Sequence, residues 1–300
     1  MKKIMLCIDG SPSSTFISKV LQLRQLEADA EIKVFIAVEP AGGHFFHLGT
    51  DYANHINQNE RQNAEKILAV FNKELRASVP AIKIEQEILP GHPKEALLNA
   101  AEKWKPDLIV VGSRGVRQED PFSLGSVSQT ILEHADCPVL IARRTIIQQP
   151  FDVLLPMDHS SYSVAAAEWA LHRSWKVVPK FHLISVVPPM TRAYTQEDNI
   201  EKAARLLHEY EQIERSAKQL LNTWAEKFDK RFGQKSAVTD FVHGEPRNTI
   251  LSKVADESNC MIIMGSHGHT ALTRLLLGSV SRSVSLHAGC SVEVVKRSVR

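Results

Sequence analysis

The residues of this chain best suited to chemistry are two glycine loops of identical spacing. Gly112-Ser-Arg114-Gly115 is followed, after a spacer of nine residues, by Gly125-Ser126. Gly265-Ser-His267-Gly268 is followed, after another nine, by Gly278-Ser279. Each loop comes after an apolar, strand-like run (108–111 and 261–264) and leads into a helix-like stretch opening Ser-Val-Ser. Glycines let the backbone turn sharply and approach a ligand closely, so that successive N–H groups point at it. The first helical turn adds unpaired N–H groups and the positive end of the helix dipole. This chemistry suits a phosphate-bearing ligand, and the chain offers it twice.

The elements around the loops are also duplicated. Asp9-Gly-Ser11, after the first apolar run, aligns with Asp158-His-Ser160, an offset of 149. Val38 aligns with Val186 at an offset of 148, and Gly91-His-Pro93 with Gly244-Glu-Pro246 at 153. The second copy thus gains about five residues between its second and third strands. A period near 150 means two tandem domains, 1–145 and 150–300, joined at the short link 145–150. Predicted strands lie at 3–8, 32–38, 82–88, 107–111 and 138–142, then at 152–157, 180–186, 236–242, 260–264 and 291–296. Predicted helices lie at 13–27, 52–78, 93–104 and 126–135, then at 161–174, 195–232, 246–257 and 279–288, the polar 195–232 being long enough to kink or break. The alternation predicts an α/β fold: two doubly wound, Rossmann-like, five-stranded parallel-sheet domains with the first strand beside the fourth. In such sheets ligands bind beyond the carboxyl ends of the strands, where the strand order reverses. Asp9 or Asp158 then faces the same crevice as the glycines. A carboxylate accepts hydrogen bonds from a ribose hydroxyl or an exocyclic amine, so a nucleotide fits the polarity of the crevice.

Bulk composition narrows the classes. Hydrophobic residues make up 43% and charged residues 23% of the 300, ordinary for a globular chain. A balance of 36 basic against 34 acidic residues argues against a nucleic-acid partner. No apolar run approaches the roughly 18 residues that span a bilayer, so no membrane partner is expected. The N-terminal apolar run stops at Asp9, too short for a secretory signal. Cys7, Cys137, Cys260 and Cys290 lack metal-type spacing and read as buried thiols of a reducing, cytoplasmic protein.

Taken together, the Gly-x-x-Gly, nine-residue, Gly-Ser pattern, the Asp after strand one and the Gly-x-Pro before helix three resemble the universal stress protein family, in its ATP-binding subgroup. The resemblance covers nearly the whole chain in two copies. It implies an ATP, ADP or AMP site, with magnesium as an optional companion. By resemblance, Asp158 and Val186 line the adenosine end, and Gly265, His267, Gly268, Gly278, Ser279 and Val280 the phosphates. The matching residues of the first copy are Asp9, Val38, Gly112, Arg114, Gly115, Gly125, Ser126 and Val127. The first spacer holds Glu119, Asp120 and Pro121 beside Arg117, whereas the second has only Arg274 as a formal charge, so the second copy is expected to be the stronger site. Family members pair through the last strand. The resemblance therefore implies an internal pseudo-dimer, with Leu140 near Val294, and further association into a homodimer of tandem chains.

Blander readings stand beside these. Asp9, Asp158, Ser126 and Ser279 also suit helix capping. His267-Gly-His269 invites a metal reading, but without a nearby cysteine or acid cluster a loop histidine near phosphate is preferred. His134 and His287 follow helical spacing and read as core-edge residues. The loop 42–49 reads as loosely packed, and the charged run 197–218 as a solvated helix face. A regulatory nucleotide-binding protein is the leading function. The alternatives are a slow ATPase of the wider adenine-nucleotide hydrolase-like group and a nucleotide-free scaffold. Neither the G-x-x-x-x-G-K-[ST] loop nor Ser-Gly-Gly-x-Asp-Ser occurs, and no lysine sits in either glycine loop, which disfavours a dedicated enzyme.

Overall fold

A computed structural model describes residues 1–40, 50–79, 82–115, 124–143, 151–189, 200–255, 259–268 and 277–296, with backbone alone at 50–53 and 200–201. The N-terminal half runs β1 (Lys3–Cys7), α1 (Ser14–Leu21), β2 (Glu31–Val38), α2 (Thr50–Ser78), β3 (Lys83–Pro90), α3 (Pro93–Trp104), β4 (Leu108–Gly112), α4 (Ser126–His134) and β5 (Val139–Ala142). The C-terminal half repeats this as β6 (Asp152–Pro156), α5 (Ser161–His172), β7 (Lys180–Val187), α6 (Ile200–Phe232), β8 (Ala237–His243), α7 (Pro246–Ala255), β9 (Cys260–Gly265), α8 (Ser279–His287) and β10 (Ser291–Val295).

The ten strands form one sheet in the order β3-β2-β1-β4-β5-β10-β9-β6-β7-β8. β1 lies beside β4, as the alternation predicts. Within each half every pairing is parallel, because each crossover carries a helix back over the sheet. Helices cover both faces, so the central strands read as continuous apolar runs. One core, under α1, α2, α5 and α6, gathers Ile17, Leu68, Ala166 and Leu221. The other, under α3, α4, α7 and α8, gathers Leu97, Ile131, Ile250 and Val284. Both cores run through the two halves without interruption.

The halves join where β5 meets β10, the one antiparallel pairing among the named strands. The expected internal pseudo-dimer is thus present, one residue out of the predicted register: Leu140 faces Glu293, and Val294 faces Val139. Glu293 is fully buried. Its Oε2 lies 2.8 Å from Nη2 of Arg24, and its Oε1 accepts from Arg173 (2.5 Å) and from Trp169 Nε1 (2.6 Å). Leu140 and Glu293 occupy matching repeat positions, as do Arg24 and Arg173. Two equivalent arginines therefore converge on a carboxylate supplied by one half only.

Several predicted boundaries shift. The first helix ends at Leu21, not 27, because the chain leaves it to bridge to the other half, where Arg24 pairs with Trp175 and Gln25 N donates to Ser174 O at 3.0 Å. α6 runs 33 residues without a break; the predicted start at 195 lies outside the described residues. The repeat offset at β2 and β7 is 149, not 148, because Ile8 N donates to Phe35 O and Met157 N to Ile184 O. The insertion before β8 is therefore four residues rather than five. His134 and His287 are exposed in the last turns of α4 and α8 rather than at core edges. Cys7, Cys260 and Cys290 are buried outside any disulfide and Cys137 is half-buried. The loop 42–49 and the link 145–150 fall outside the described residues.

Candidate functional site

Two equivalent clefts open at the carboxyl ends of β1 and β4 and of β6 and β9, where the strand order turns back. In the C-terminal cleft, Asp158 Oδ1 accepts from Ser160 N (3.1 Å) and Ser160 Oγ (2.6 Å). Its other oxygen lies against the glycine loop: a Cβ on Gly268 would stand 2.7 Å from Asp158 Oδ2. In the N-terminal cleft, Asp9 Oδ1 accepts from Ser11 N (2.9 Å) and Ser14 Oγ (3.3 Å), and a Cβ on Gly115 would stand 2.9 Å from Oδ2. Only glycine leaves room for the carboxylate, so acid and loop meet in one crevice in both halves. Neither aspartate is the helix cap. Ser160 caps α5 by accepting from Ser163 N at 3.1 Å, and α1 is entered through Ser13.

The helix side of each cleft is a row of backbone amides. Gly125 and Gly278, rather than Ser126 and Ser279, occupy the N-cap positions and bring no side chain to the first turn. The first amides with a helical acceptor are Gln129, to Gly125 O at 2.9 Å, and Arg282, to Gly278 O at 2.9 Å. The amides of Ser126, Val127 and Ser128, and of Ser279, Val280 and Ser281, precede them and carry the positive end of each helix.

Both loops are tied into the sheet. Ser113 N donates to Ala142 O (3.0 Å), Gly125 N to Ser113 O (2.8 Å) and Ser128 Oγ to Gly112 O (2.6 Å). In the second copy Ser266 N donates to Val295 O (2.9 Å), Gly278 N to Ser266 O (2.9 Å) and Ser281 Oγ to Ser266 O (2.7 Å). Gly112 and Gly265 have a packing role: a Cβ would meet Ser13 Cβ at 2.9 Å in one half and the Tyr162 carbonyl carbon at 2.5 Å in the other. Their size admits the start of α1 and α5 close to the sheet.

The walls differ between copies. The half-buried His267 ring packs 4.9 Å from Tyr162, with Nδ1 3.0 Å from Ser266 Oγ. Arg114 takes the matching place in the first half, and its carbonyl accepts from Ser11 Oγ at 3.1 Å. Val38 and Val186, which the resemblance would set at an adenosine end, point to opposite faces of the sheet, one packed on each core. The one-residue register correction explains this, because strand side chains alternate; Val187 is the structural counterpart of Val38. Gly91 N donates to Val38 O (2.9 Å) and Gly244 N to Val187 O (3.0 Å), which anchors both Gly-x-Pro turns there. Sequence reasoning missed Ser11, Ser160, Ser128, Ser281 and Tyr162. A serine two residues after each aspartate, and one at the third position of each Ser-Val-Ser, was the available signal. The spacers 116–123 and 269–276, with Arg117, Glu119, Asp120, Pro121, His269 and Arg274, lie outside the described residues. Among the described residues no three His, Cys, Asp or Glu side chains cluster to hold a metal, and no helix is long and apolar enough to cross a membrane.

Comparison with known proteins agrees with this architecture. The family model described as the universal stress protein family matches residues 1–143 and again 151–296. A universal stress protein of Thermus aquaticus is 33% identical over 142 residues, which span 47% of this chain and 98% of that protein. The crystal structure of a universal stress protein from Archaeoglobus fulgidus covers 99% of this chain and 98% of its own at a TM-score of 0.65 and 22% identity. A family protein from Arabidopsis thaliana, solved with AMP bound, covers 46% of this chain and 89% of its own at 20% identity and a TM-score of 0.32. With both halves matched and joined in one sheet, the chain belongs to the universal stress protein family, as a tandem of two such domains.

Proposed function

We propose that this protein binds an adenine nucleotide, ATP or AMP, as a regulatory ligand, with the C-terminal half as the stronger site. One observation carries the reading. Asp158 lies against Gly268 while Gly278 opens α8 without a side chain, so an acceptor for ribose or amine and a row of phosphate-binding amides share one crevice. That spacing of opposite polarities suits a nucleotide better than a free anion, which has no use for the carboxylate. Magnesium enters this reading only as the companion of a triphosphate. Binding without dedicated turnover is part of the proposal. The described cleft pairs its aspartate with Ser160 and its imidazole with Ser266, an arrangement that orders the loop rather than aiming a base at a phosphorus.

Calorimetric titration of ATP, ADP and AMP into the full chain tests the reading. Wild type is expected to bind at least one adenylate in the micromolar range, and Gly278→Asp, which places a negative side chain at the cradle, to weaken it sharply. A dissociation constant above roughly 1 mM for every adenylate would overturn the proposal. Steady release of phosphate from labelled ATP at about 1 per second or faster would favour the enzyme instead.

A further inference from the structure

The two clefts are tied together by a closed circuit of polar contacts that neither glycine loop explains. In the N-terminal half the circuit runs from Ala142 O through Ser113 to Gly125 and the amide end of α4. At the other end of α4, the carbonyls of Leu132 and Glu133 accept from Lys296 Nζ at 2.8 and 3.5 Å. Lys296 directly follows Val295, whose carbonyl anchors Ser266 and hence the cradle of the C-terminal half. The return path is the mirror image. α8 begins at that second cradle, and in its last turn the carbonyls of Ser285 and Leu286 accept from Arg143 Nη2 at 2.5 and 3.1 Å. Arg143 directly follows Ala142. Arg143 and Lys296 are equivalent in the repeat, as are the carbonyl pairs that they bind. Each half therefore places a cation on the carboxyl end of the helix whose amino end cradles the other half's ligand.

Resting on the nucleotide reading, we infer that Arg143 and Lys296 are positioning residues for the site of the opposite half. Arg143 serves the C-terminal site and Lys296 the N-terminal one. The physics has two parts. The last carbonyls of a helix have no partner within it, and a cation there satisfies them and keeps the final turn wound. That cation also balances the negative end of the dipole, an effect confined to the last turn, while its own charge attracts a phosphate at the amide end through the poorly screened interior, since a nine-residue helix is only about 13 Å long. Burial decides which cation acts more strongly. Arg143 is 7% exposed, so solvent and salt screen it poorly, whereas Lys296 is half-buried. The ligand-facing amides themselves stay untouched by either residue.

Single-site backgrounds of the full chain test this. Gly125→Asp leaves the C-terminal cradle intact, and Gly278→Asp the N-terminal one. In the first background, Arg143→Met is expected to weaken AMP binding, read by calorimetry, roughly threefold to thirtyfold. Arg143→Lys is expected to restore most of it. In the second background Arg143→Met is expected to change affinity less than about twofold, and Lys296→Met to lower it by a smaller factor than Arg143→Met does in the first. Thermal unfolding of each variant separates lost affinity from lost fold. If Arg143→Met unfolds the chain, the folded Arg143→Lys variant decides, by keeping or losing affinity at the C-terminal site. Unchanged C-terminal affinity in a folded Arg143→Met chain, or equal losses at both sites, overturns the inference. Failure of the parent Gly125→Asp chain to bind any adenylate overturns the nucleotide reading instead, before position 143 is touched.

Discussion

The two clefts share one backbone and differ in their walls. After the strand-one aspartate the chain must enter the left-handed region. The N-terminal half does so with Gly10 at φ +78°, the C-terminal half with His159 at φ +63°. A side chain in that conformation costs roughly 1–2 kcal/mol. His159 is kept there with its Nε2 3.1 Å from Ser216 Oγ on α6. Ser13 and Arg114 of the first cleft become Tyr162 and His267 in the second, where the two rings pack together. Asp9 is exposed, whereas Asp158 is half-buried. Duplication preserved the glycine-built amide row, and side chains then diverged to enclose one copy more fully. Hydrogen bonds in that more sheltered crevice compete less with water.

Breaking the asymmetry at the seam should have the largest effect. Glu293→Ala leaves Arg24 and Arg173 buried without a counter-charge and is expected to cost about 3–5 kcal/mol in urea denaturation. A loss below about 1 kcal/mol would show that the arginines find water or other partners. The same group gives a pH test. Burial pushes the Glu293 carboxyl upward, but Arg173 and Arg24 overcome this and hold it well below the usual carboxylate range. Its contribution is therefore fully present above the ordinary glutamate value near 4.3 and is lost as pH falls below it. Glu293→Gln should flatten that part of the acid limb; an unchanged acid slope would refute the pairing.

Next in size is the contrast between the acids. Asp158→Ala is expected to weaken AMP binding about tenfold to a hundredfold in a chain whose N-terminal cradle is silenced by Gly125→Asp. Asp9→Ala with Gly278→Asp should do less, and equal losses would erase the distinction between the clefts. Gly265→Ala drives a methyl against the Tyr162 backbone and is expected to cost about 1–3 kcal/mol. Gly112→Ala meets Ser13 Cβ at 2.9 Å but no backbone atom closer than 3.5 Å, and should cost less by the same melt. The smallest effect is a gain. His159→Gly relieves the positive φ and should stabilise by about 0.5–1 kcal/mol, a rise of about 1–2 °C in Tm.

The cradles and the strand order were legible because glycine spacing and alternating periodicity are local signals that this chain states twice. Register was less legible. A strand of eight apolar-rich residues such as β7 slides by one without changing its composition, which misplaced Val186 against Val38. The seam network was missed because its members lie far apart in sequence. Yet signals existed: Glu293 interrupts an otherwise apolar strand, Arg24 and Arg173 recur at the repeat offset of 149, and Arg143 and Lys296 at 153. A charge set in a buried strand asks for opposite charges, and matched cations outside any motif are where to look.

Joining β5 to β10 leaves β3 and β8 as the outermost strands. Both are polar where a neighbour would dock: Lys83, Glu85 and Glu87 on one, Asp240 on the other, with Lys83 and Lys33 each bridging to Glu85 and Lys253 to Asp240. β3 also ends on Pro90, which has no amide to donate. The sheet thus spends its apolar rims on each other and turns its charged rims outward, so lateral growth into fibres is blocked at both ends.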